Sequence, residues 1–289
     1  MSSNFVPQDS NQHATHHRAR PFPTIHLLGS EGFIGRALQR EAGKLSLHCW
    51  SHRNLDPNHY FDLLDSSSWQ PLLDHHPTHA ILLSWPGLPN YQEPFHVARN
   101  LPASIELVEC LVQSGLQRLV VAGTCYEYGL QNGQLTEDQL ADPINCYAIA
   151  KDSLRRVIAN HYNDISLGWC WARIFYPFGH DQNPNSLLSS LDRSIDHGDQ
   201  VFSMGSGRQI RDYLHVNNVA EVLLRLANHR HARGIYNCGS GRPISLRELV
   251  EKRINKLSSG ISLELGALPD RTDEPLAFWA SMEKYNSLD

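Results

Sequence analysis

The sequence predicts an α/β protein: a doubly wound parallel sheet with a smaller C-terminal α/β lobe. Three observations carry this. Short apolar runs alternate with helix-patterned stretches over about the first 175 residues. The runs are continuous rather than alternating, the pattern of strands covered on both faces of a parallel sheet. After residue 175 the texture changes to loops rich in Gly, Asn and Pro with shorter elements. A chain of 289 residues has room for one large or two small domains.

Each element follows from its own segment. TIHLL (24–28) is an apolar run that stops at glycine, so it reads as the first strand. GSEGFIG (29–35) comes next, and ALQREAG continues as a helix. LSLHCW (45–50) is a second strand, SSSWQPLLDHH (66–76) a short helix, and HAILLSW (79–85) a third strand. IELVECLVQSG (105–115) puts Ile105, Val108, Leu111 and Val112 on one helical face and stops at Gly115. QRLVVAGT (117–124) is the fourth strand, NCYAIAKDSLRRVIANHY a helix, and SLGWCWARIF (166–175) the fifth strand. Residues 1–22 are polar, lack the apolar core of a secretory signal, and are expected to be a disordered leader. Residues 23–175 are then the sheet domain and 176–289 mainly the second lobe, with the chain crossing between them.

Composition removes several classes. The net charge of −5 offers no basic footprint for nucleic acid or an anionic membrane. No apolar run reaches the ~18 residues of a membrane span. The six cysteines are scattered without a C-x-x-C pair, so free thiols in a reducing cytoplasm are expected. The 17 histidines form no H-E-x-x-H or Cys/His spacing, and no metal site is predicted.

Two motifs carry chemistry. GSEGFIG places glycines at 29, 32 and 35 between the first strand and the first helix. Gly29 suits the tight turn, Gly32 the approach of a pyrophosphate to the backbone, and Gly35 close helix–strand packing; a helix N-terminus then faces the phosphates. This predicts a dinucleotide and a Rossmann-type sheet. The second strand of such a sheet ordinarily ends in an acidic residue that holds the ribose 2′-hydroxyl. Here the alternation through Leu45, Leu47 and Cys49 puts Ser51 in that slot, with Arg53 two residues on. A small hydroxyl and a guanidinium suit a 2′-phosphate, so NADP(H) is favoured, with NAD(H) the alternative and a solvated loop charge the bland account of Arg53. The second motif is Tyr147 and Lys151, one helical turn apart. The pair is either incidental or an acid–base unit in which the ammonium lowers the phenol's pKa.

GSEGFIG, Tyr147-x-x-x-Lys151 and GTCYEYG (123–129) together resemble the extended short-chain dehydrogenase/reductases, the NAD(P)-dependent epimerase/dehydratase group acting on nucleotide sugars. RIFYPFG (173–179), RQIRDYLHVNNVAEVL (208–223) and GIYNCGSGRPISLRELV (234–250) are similar to later segments of that family, in the same order, so the resemblance runs from about 24 to 275. It implies that Thr124, Tyr147 and Lys151 are catalytic. It places Phe33 and Ile34 at the pyrophosphate, Asp62 and Leu63 near the adenine, Leu83, Ser84 and Trp85 under the cofactor, and Phe175 beside the nicotinamide. Asn100 matches a structural or cofactor-side asparagine, with a helix cap as the alternative. On the substrate side it implies that Arg211 and Arg271 grip a diphosphate; for Arg211 an ion pair with Asp212 is the alternative. Ser186 and Leu187 are weaker substrate-lobe candidates. Tyr176 stands where the family usually has asparagine, and Phe178 replaces its tyrosine. Cys125 and Tyr126 stand where the family's dehydratases carry Asp-Glu, which argues against water elimination. The activity implied is reduction of a keto group on a nucleotide-linked deoxysugar. A 4-epimerase is the runner-up and a catalytically silent nucleotide-binding protein the third reading. A cytoplasmic homodimer, joined through the helices at 101–114 and 147–161, is also implied.

Overall fold

The first strand, β1 (Ile25–Leu28), is followed by α1 (Phe33–Glu41), β2 (Leu47–Trp50), α2 (Gln70–Asp74), β3 (His79–Leu82), α3 (Leu101–Gln113), β4 (Arg118–Thr124), β5 (Gly133–Leu135), α4 (Cys146–His161), β6 (Gly168–Ile174) and β7 (Tyr176–Phe178). Then come α5 (Leu187–His197), β8 (Val201–Met204), β9 (Ile210–His215), α6 (Val216–Asn228), β10 (Gly234–Cys238), β11 (Pro243–Ser245), α7 (Leu246–Lys256), β12 (Ser262–Leu265), β13 (Phe278–Ala280) and α8 (Glu283–Asn286). This computed structural model describes residues 23–163, 167–270 and 274–288. The expected leader at 1–22 and the candidate Arg271 lie outside the described residues.

β2, β1, β3, β4, β6 and β10 lie side by side in one parallel sheet. The doubly wound sheet expected from the sequence is therefore present. The order reverses at β1 and β3, and such a reversal opens a crevice at the carboxyl ends of the strands. The sixth strand, β10, comes from the region after residue 175, and α6 from that region packs against α1.

The continuous apolar runs have a simple cause. Successive strand residues point to opposite faces, and both faces are covered. Ile25 and Leu27 join Ala37, Leu38, Val219 and Leu223 on one side. Leu28 joins Trp50, Leu63, Leu107, Val108 and Leu154 on the other. Burying each such side chain stabilises the fold by roughly 1.5–3 kcal/mol. On α3 the buried residues are Ser104, Leu107, Val108 and Leu111, while Ile105 and Val112 are only half-buried. The face is rotated from the expected one because the stripe includes Ser104, which an apolarity pattern passes over. The second lobe has its own core of Leu191, Phe202, Met204, Val250, Ile254 and Ile261.

Four histidines gather beside β2. His26 and His48 are register partners on β1 and β2. The His48 ring lies 4.3 Å from that of His75, and its Nε2 is 3.0 Å from Nε2 of His59. Trp50 Nε1–H donates to His26 Nδ1 at 3.1 Å, which requires that nitrogen to be unprotonated. Burial, then His48 and His75, push the His26 pKa from 6.5 down to about 4. The unfolded chain therefore binds a proton between those values that the folded chain excludes. Stability present above pH 6.5 is lost as pH falls towards 4. The loss should be about 3 kcal/mol. A thermal-unfolding series should show the midpoint falling through this window, and His26→Gln should flatten the curve; superimposable curves would remove this account.

Candidate active site

The crevice is built first by the glycine loop. The chain turns at Gly29 with φ +95°, and a Cβ there would lie 2.8 Å from the Ser84 backbone nitrogen. A Cβ on Gly35 would lie 2.4 Å from the carbonyl oxygens of Gly29 and Ser30. These two glycines let α1 sit hard against the end of β1. The α1 N-cap is Gly32, which brings no side-chain cap, and the first turn holds no acidic residue. An uncapped helix N-terminus at the switch point offers N–H groups and a partial positive charge to an anion. The cradle fits a dinucleotide diphosphate, and the backbone of residues 32 to 34, with Phe33 and Ile34 half-buried in it, would hold it.

At the end of β2, Ser51 is buried; its Oγ accepts from the Arg53 backbone N–H at 3.1 Å and donates to Glu31 Oε2 at 3.4 Å. Arg53 is exposed. Sequence reasoning missed Glu31, because it treated the glycine loop as backbone only. Asp62 caps the Leu64 backbone N–H at 2.9 Å, and its carbonyl oxygen accepts from Trp69 Nε1–H at 2.8 Å. Leu63 is fully buried in the sheet core. Its side chain packs there beside the Asp62 turn.

Leu83 and Ser84 both donate their backbone N–H groups to the Leu28 carbonyl oxygen, at 2.9 and 3.0 Å, which carries the β3 end along the glycine loop. Trp85 Nε1–H donates to His96 Nδ1 at 3.1 Å, and His96 Nε2 lies 3.0 Å from the Asn90 carbonyl oxygen. Asn100 is buried in a π-helical turn, His96–Asn100, before α3. Its backbone is helical and its side chain makes no cap bond. Instead Nδ2–H donates to the Pro86 carbonyl oxygen at 2.8 Å, so the cap alternative is set aside.

The three central residues meet where β4 ends and α4 begins. Asn145 caps α4 by accepting from the Ala148 N–H at 2.8 Å. That cap places Tyr147 in the first turn, and its backbone N–H donates to the Tyr91 carbonyl oxygen at 2.9 Å. The Thr124 side chain, which accepts from the Tyr126 backbone N–H at 3.3 Å, is among the groups acting on the Tyr147 phenol. Lys151, one turn on and 2% exposed, donates to the Ala122 carbonyl oxygen at 2.8 Å. Its Nζ stands 3.8 Å from the centre of the Trp85 ring.

The electrostatics differ from the expectation that the ammonium lowers the phenol's pKa. Burial first, then Tyr91 and Glu127, push the Tyr147 pKa well up, and the Thr124 side chain opposes them. Burial also pulls Lys151 from 10.5 down to about 7, with Glu127 opposing. The ammonium lies 6.0 Å from the Tyr147 ring centre and turns towards Ala122 and Trp85. As folded here, the phenol is held protonated.

A second feature was missed. Glu127 is fully buried and accepts from Thr124 N at 2.9 Å, from Trp171 Nε1 at 2.9 and 3.0 Å, and from Arg173 Nε at 2.9 Å. The Arg173 guanidinium also lies 4.2 Å from the Tyr128 ring centre. Gly123 and Arg173 are register partners on β4 and β6. The only sequence signal was a charged residue near the end of each of two adjacent apolar strands.

Arg211 is 1% exposed and engaged on all sides. It pairs with Glu274 at 2.8 Å, donates to Tyr176 Oη at 3.0 Å, and reaches the carbonyl oxygens of Ile210 and Leu276. Asp212 is not its partner. That carboxylate accepts from the backbone N–H groups of Ser240, Gly241 and Ala280 and from the Ser240 hydroxyl, which corrects the ion-pair alternative. Tyr176 Oη also donates to Glu274 at 3.1 Å. Tyr126, Tyr91, Asn145 and Glu274 line a cavity of about 320 Å³. Cys125 is buried, and burial pushes its thiol up. Phe175 is fully enclosed with Tyr128, Phe278 and Cys125. Ser186 donates to Ser189 Oγ at 2.9 Å at the start of α5. Leu187 packs on the second-lobe core.

The sequence profile described as the NAD dependent epimerase/dehydratase family matches residues 25–239. The chain belongs to that family. The family member is 27% identical over 201 residues to dTDP-6-deoxy-L-talose 4-dehydrogenase (NAD(+)) of Aggregatibacter actinomycetemcomitans, covering 69% of this chain and 73% of that protein. It is 25% identical over 202 residues to UDP-glucose 4-epimerase of Corynebacterium glutamicum, covering 64% of this chain and 61% of that one, less than two thirds of its length. The solved structure of MoeE5 in complex with UDP-glucuronic acid and NAD superposes with a TM-score of 0.78 at 25% identity, over 92% of both chains. Among the described residues, no helix is long and apolar enough to cross a membrane.

In this epimerase/dehydratase-family protein the lysine opposes stability. Its unfolded value of 10.5 exceeds the folded one near 7, so stability rises with pH between those values and the cost is fully present below pH 7. Lys151→Met keeps the apolar stem and removes the buried ammonium. At pH 6 its melting midpoint should rise by roughly 5 °C. A midpoint below that of the wild type would show that the Ala122 and Trp85 contacts outweigh desolvation.

Proposed function

We propose that the protein is an NAD(P)-dependent oxidoreductase that reduces a keto group on a nucleotide-linked sugar, with a 4-ketosugar as the leading substrate. The observation that carries this is the meeting of Thr124, Tyr147 and Lys151 where β4 ends and the Asn145-capped α4 begins, at the mouth of the glycine cradle. A protonated acid at that point serves reduction: the dinucleotide, when bound, supplies hydride to the carbonyl carbon. Tyr147 gives its proton to the carbonyl oxygen as negative charge develops there. The Thr124 hydroxyl would hold the same oxygen, while Lys151 is tied to the Ala122 carbonyl oxygen one turn on. Cys125 and Tyr126 add support. Both are largely buried, and burial raises both pKa values, so neither serves the proton removal that water elimination needs. The relatives named for dTDP- and UDP-linked sugars support the substrate class.

A 4-epimerase is the second reading, favoured by the 25% identity to UDP-glucose 4-epimerase. One experiment separates the two. The purified protein is denatured, any released nicotinamide nucleotide is identified by mass spectrometry, and the native protein is assayed with nucleotide 4-ketosugars and reduced cofactor. An exchanging cofactor and consumption of NADH or NADPH are expected. Stoichiometric retained NAD with interconversion of UDP-sugars, and no reduction of any ketosugar, would replace the reductase reading with the epimerase.

A further inference from the structure

We propose that Glu31, from the glycine loop, reads the adenosine ribose and makes the protein select NAD(H) over NADP(H). The inference rests on the nucleotide-binding reading above and deepens it. In a dinucleotide-binding sheet, the end of the second strand carries the group that meets the ribose 2′-oxygen, ordinarily a carboxylate on that strand. Here the position holds Ser51, and that absence was the reason for favouring NADP(H). The structure returns a carboxylate to the same rim from another element: Glu31 Oε2 lies 3.4 Å from Ser51 Oγ. Glu31 is only partly buried, so it lies at the surface of the crevice and not in the core.

The neighbouring cations do not restore a phosphate site. Arg36 Nε donates to the Glu31 carbonyl oxygen at 3.0 Å, and its guanidinium faces Asp181 at 3.5 Å. Arg40 pairs with the same Asp181 at 3.2 Å. Arg53 is exposed on the loop, and its backbone N–H is the group tied to Ser51. A ribose 2′-hydroxyl would donate a hydrogen bond to the Glu31 carboxylate, whose other partner is the Ser51 hydroxyl. A 2′-phosphate carries nearly two negative charges and has no proton to give, so it meets the carboxylate as a like charge. The choice between the two nucleotides is then made by a residue of the phosphate loop, twenty positions away from the strand end that ordinarily makes it.

The test is a titration of the purified full-length protein with NADH and with NADPH, followed by nicotinamide fluorescence, for the wild type and Glu31→Gln. The wild type should bind NADH at least about tenfold tighter than NADPH. Glu31→Gln should shrink that ratio to about threefold or less, chiefly by tightening NADPH. Raising the salt should also narrow the wild-type ratio, because a partly exposed charge is screened. Glu31 is not in the core, so the variant should melt with the wild type, and equal melting curves confirm that the comparison is between folded proteins. A wild type that binds NADPH as tightly as NADH overturns the proposal, as does a Glu31→Gln protein with an unchanged ratio. Failure of both nucleotides to bind would instead remove the nucleotide-binding reading on which the proposal stands.

Discussion

Tyr147→Phe is expected to lower turnover by about a thousandfold while leaving fold and cofactor binding nearly intact. The substitution removes one oxygen and nothing else. The ring keeps its neighbours: Tyr91 at 5.6 Å, His96 at 5.5 Å and Trp85 at 6.1 Å between centroids. The lost group is the proton donor to the reacting oxygen, and a positioned acid contributes on the order of 10² to 10⁴ in rate. Dinucleotide affinity should stay within about twofold, because the residue holds no phosphate or ribose in this account. Steady-state turnover, the melting midpoint and a nucleotide titration on the same preparation decide it. A variant that keeps more than about a tenth of wild-type turnover would remove Tyr147 from the acid's role.

The largest stability effect is expected at Arg173. Arg173→Met should cost about 3–5 kcal/mol, because it leaves a fully buried carboxylate without its counter-ion. Glu127 would retain only the neutral donors of Trp171 and Thr124. Burial already pushes its carboxyl up, with Arg173 as the largest opposing influence. Removing the guanidinium pushes it further in the same direction. The midpoint should fall by roughly 10 °C. Adding Glu127→Gln should recover much of the loss, since an amide needs no counter-ion. Denaturant unfolding of both single variants and the double variant gives the coupling energy. A cost below about 1 kcal/mol for Arg173→Met would show that the pair is not what anchors this loop. Glu127 also receives the Thr124 N–H, so the same variants should lower turnover through a displaced Thr124.

Much of the sheet was readable because strand and helix periodicities are local. The runs at 24–28, 79–85 and 117–124 announce strands covered on both faces, and they form the central part of the sheet. β10 was harder to see. Its segment GIYNC carries Asn237, a polar residue in a buried strand. The structure explains it: Asn237 accepts from Tyr128 Oη at 2.7 Å and donates to the carbonyl oxygens of Leu135 and Ser281. Those partners lie about a hundred and about forty residues away, so no window along the chain contains them.

What the sequence by itself determined is the alternation of strands and helices, the glycine cradle at 29 to 35, and the one-turn spacing of Tyr147 and Lys151. Each is set by backbone geometry within a few residues. What only the tertiary structure decided is the company each charged group keeps. The turn after β4 brings Glu127 to Arg173 on β6, and folding of the second lobe brings Glu274 rather than Asp212 to Arg211. Burial turns Lys151 away from the phenol it was expected to activate, and the path of the glycine loop puts the Glu31 carboxylate beside Ser51. The physical reason is the same in each case. A charge or a polar atom takes its energy from the nearest partner in space and from its distance to water, and neither is written in the order of the chain.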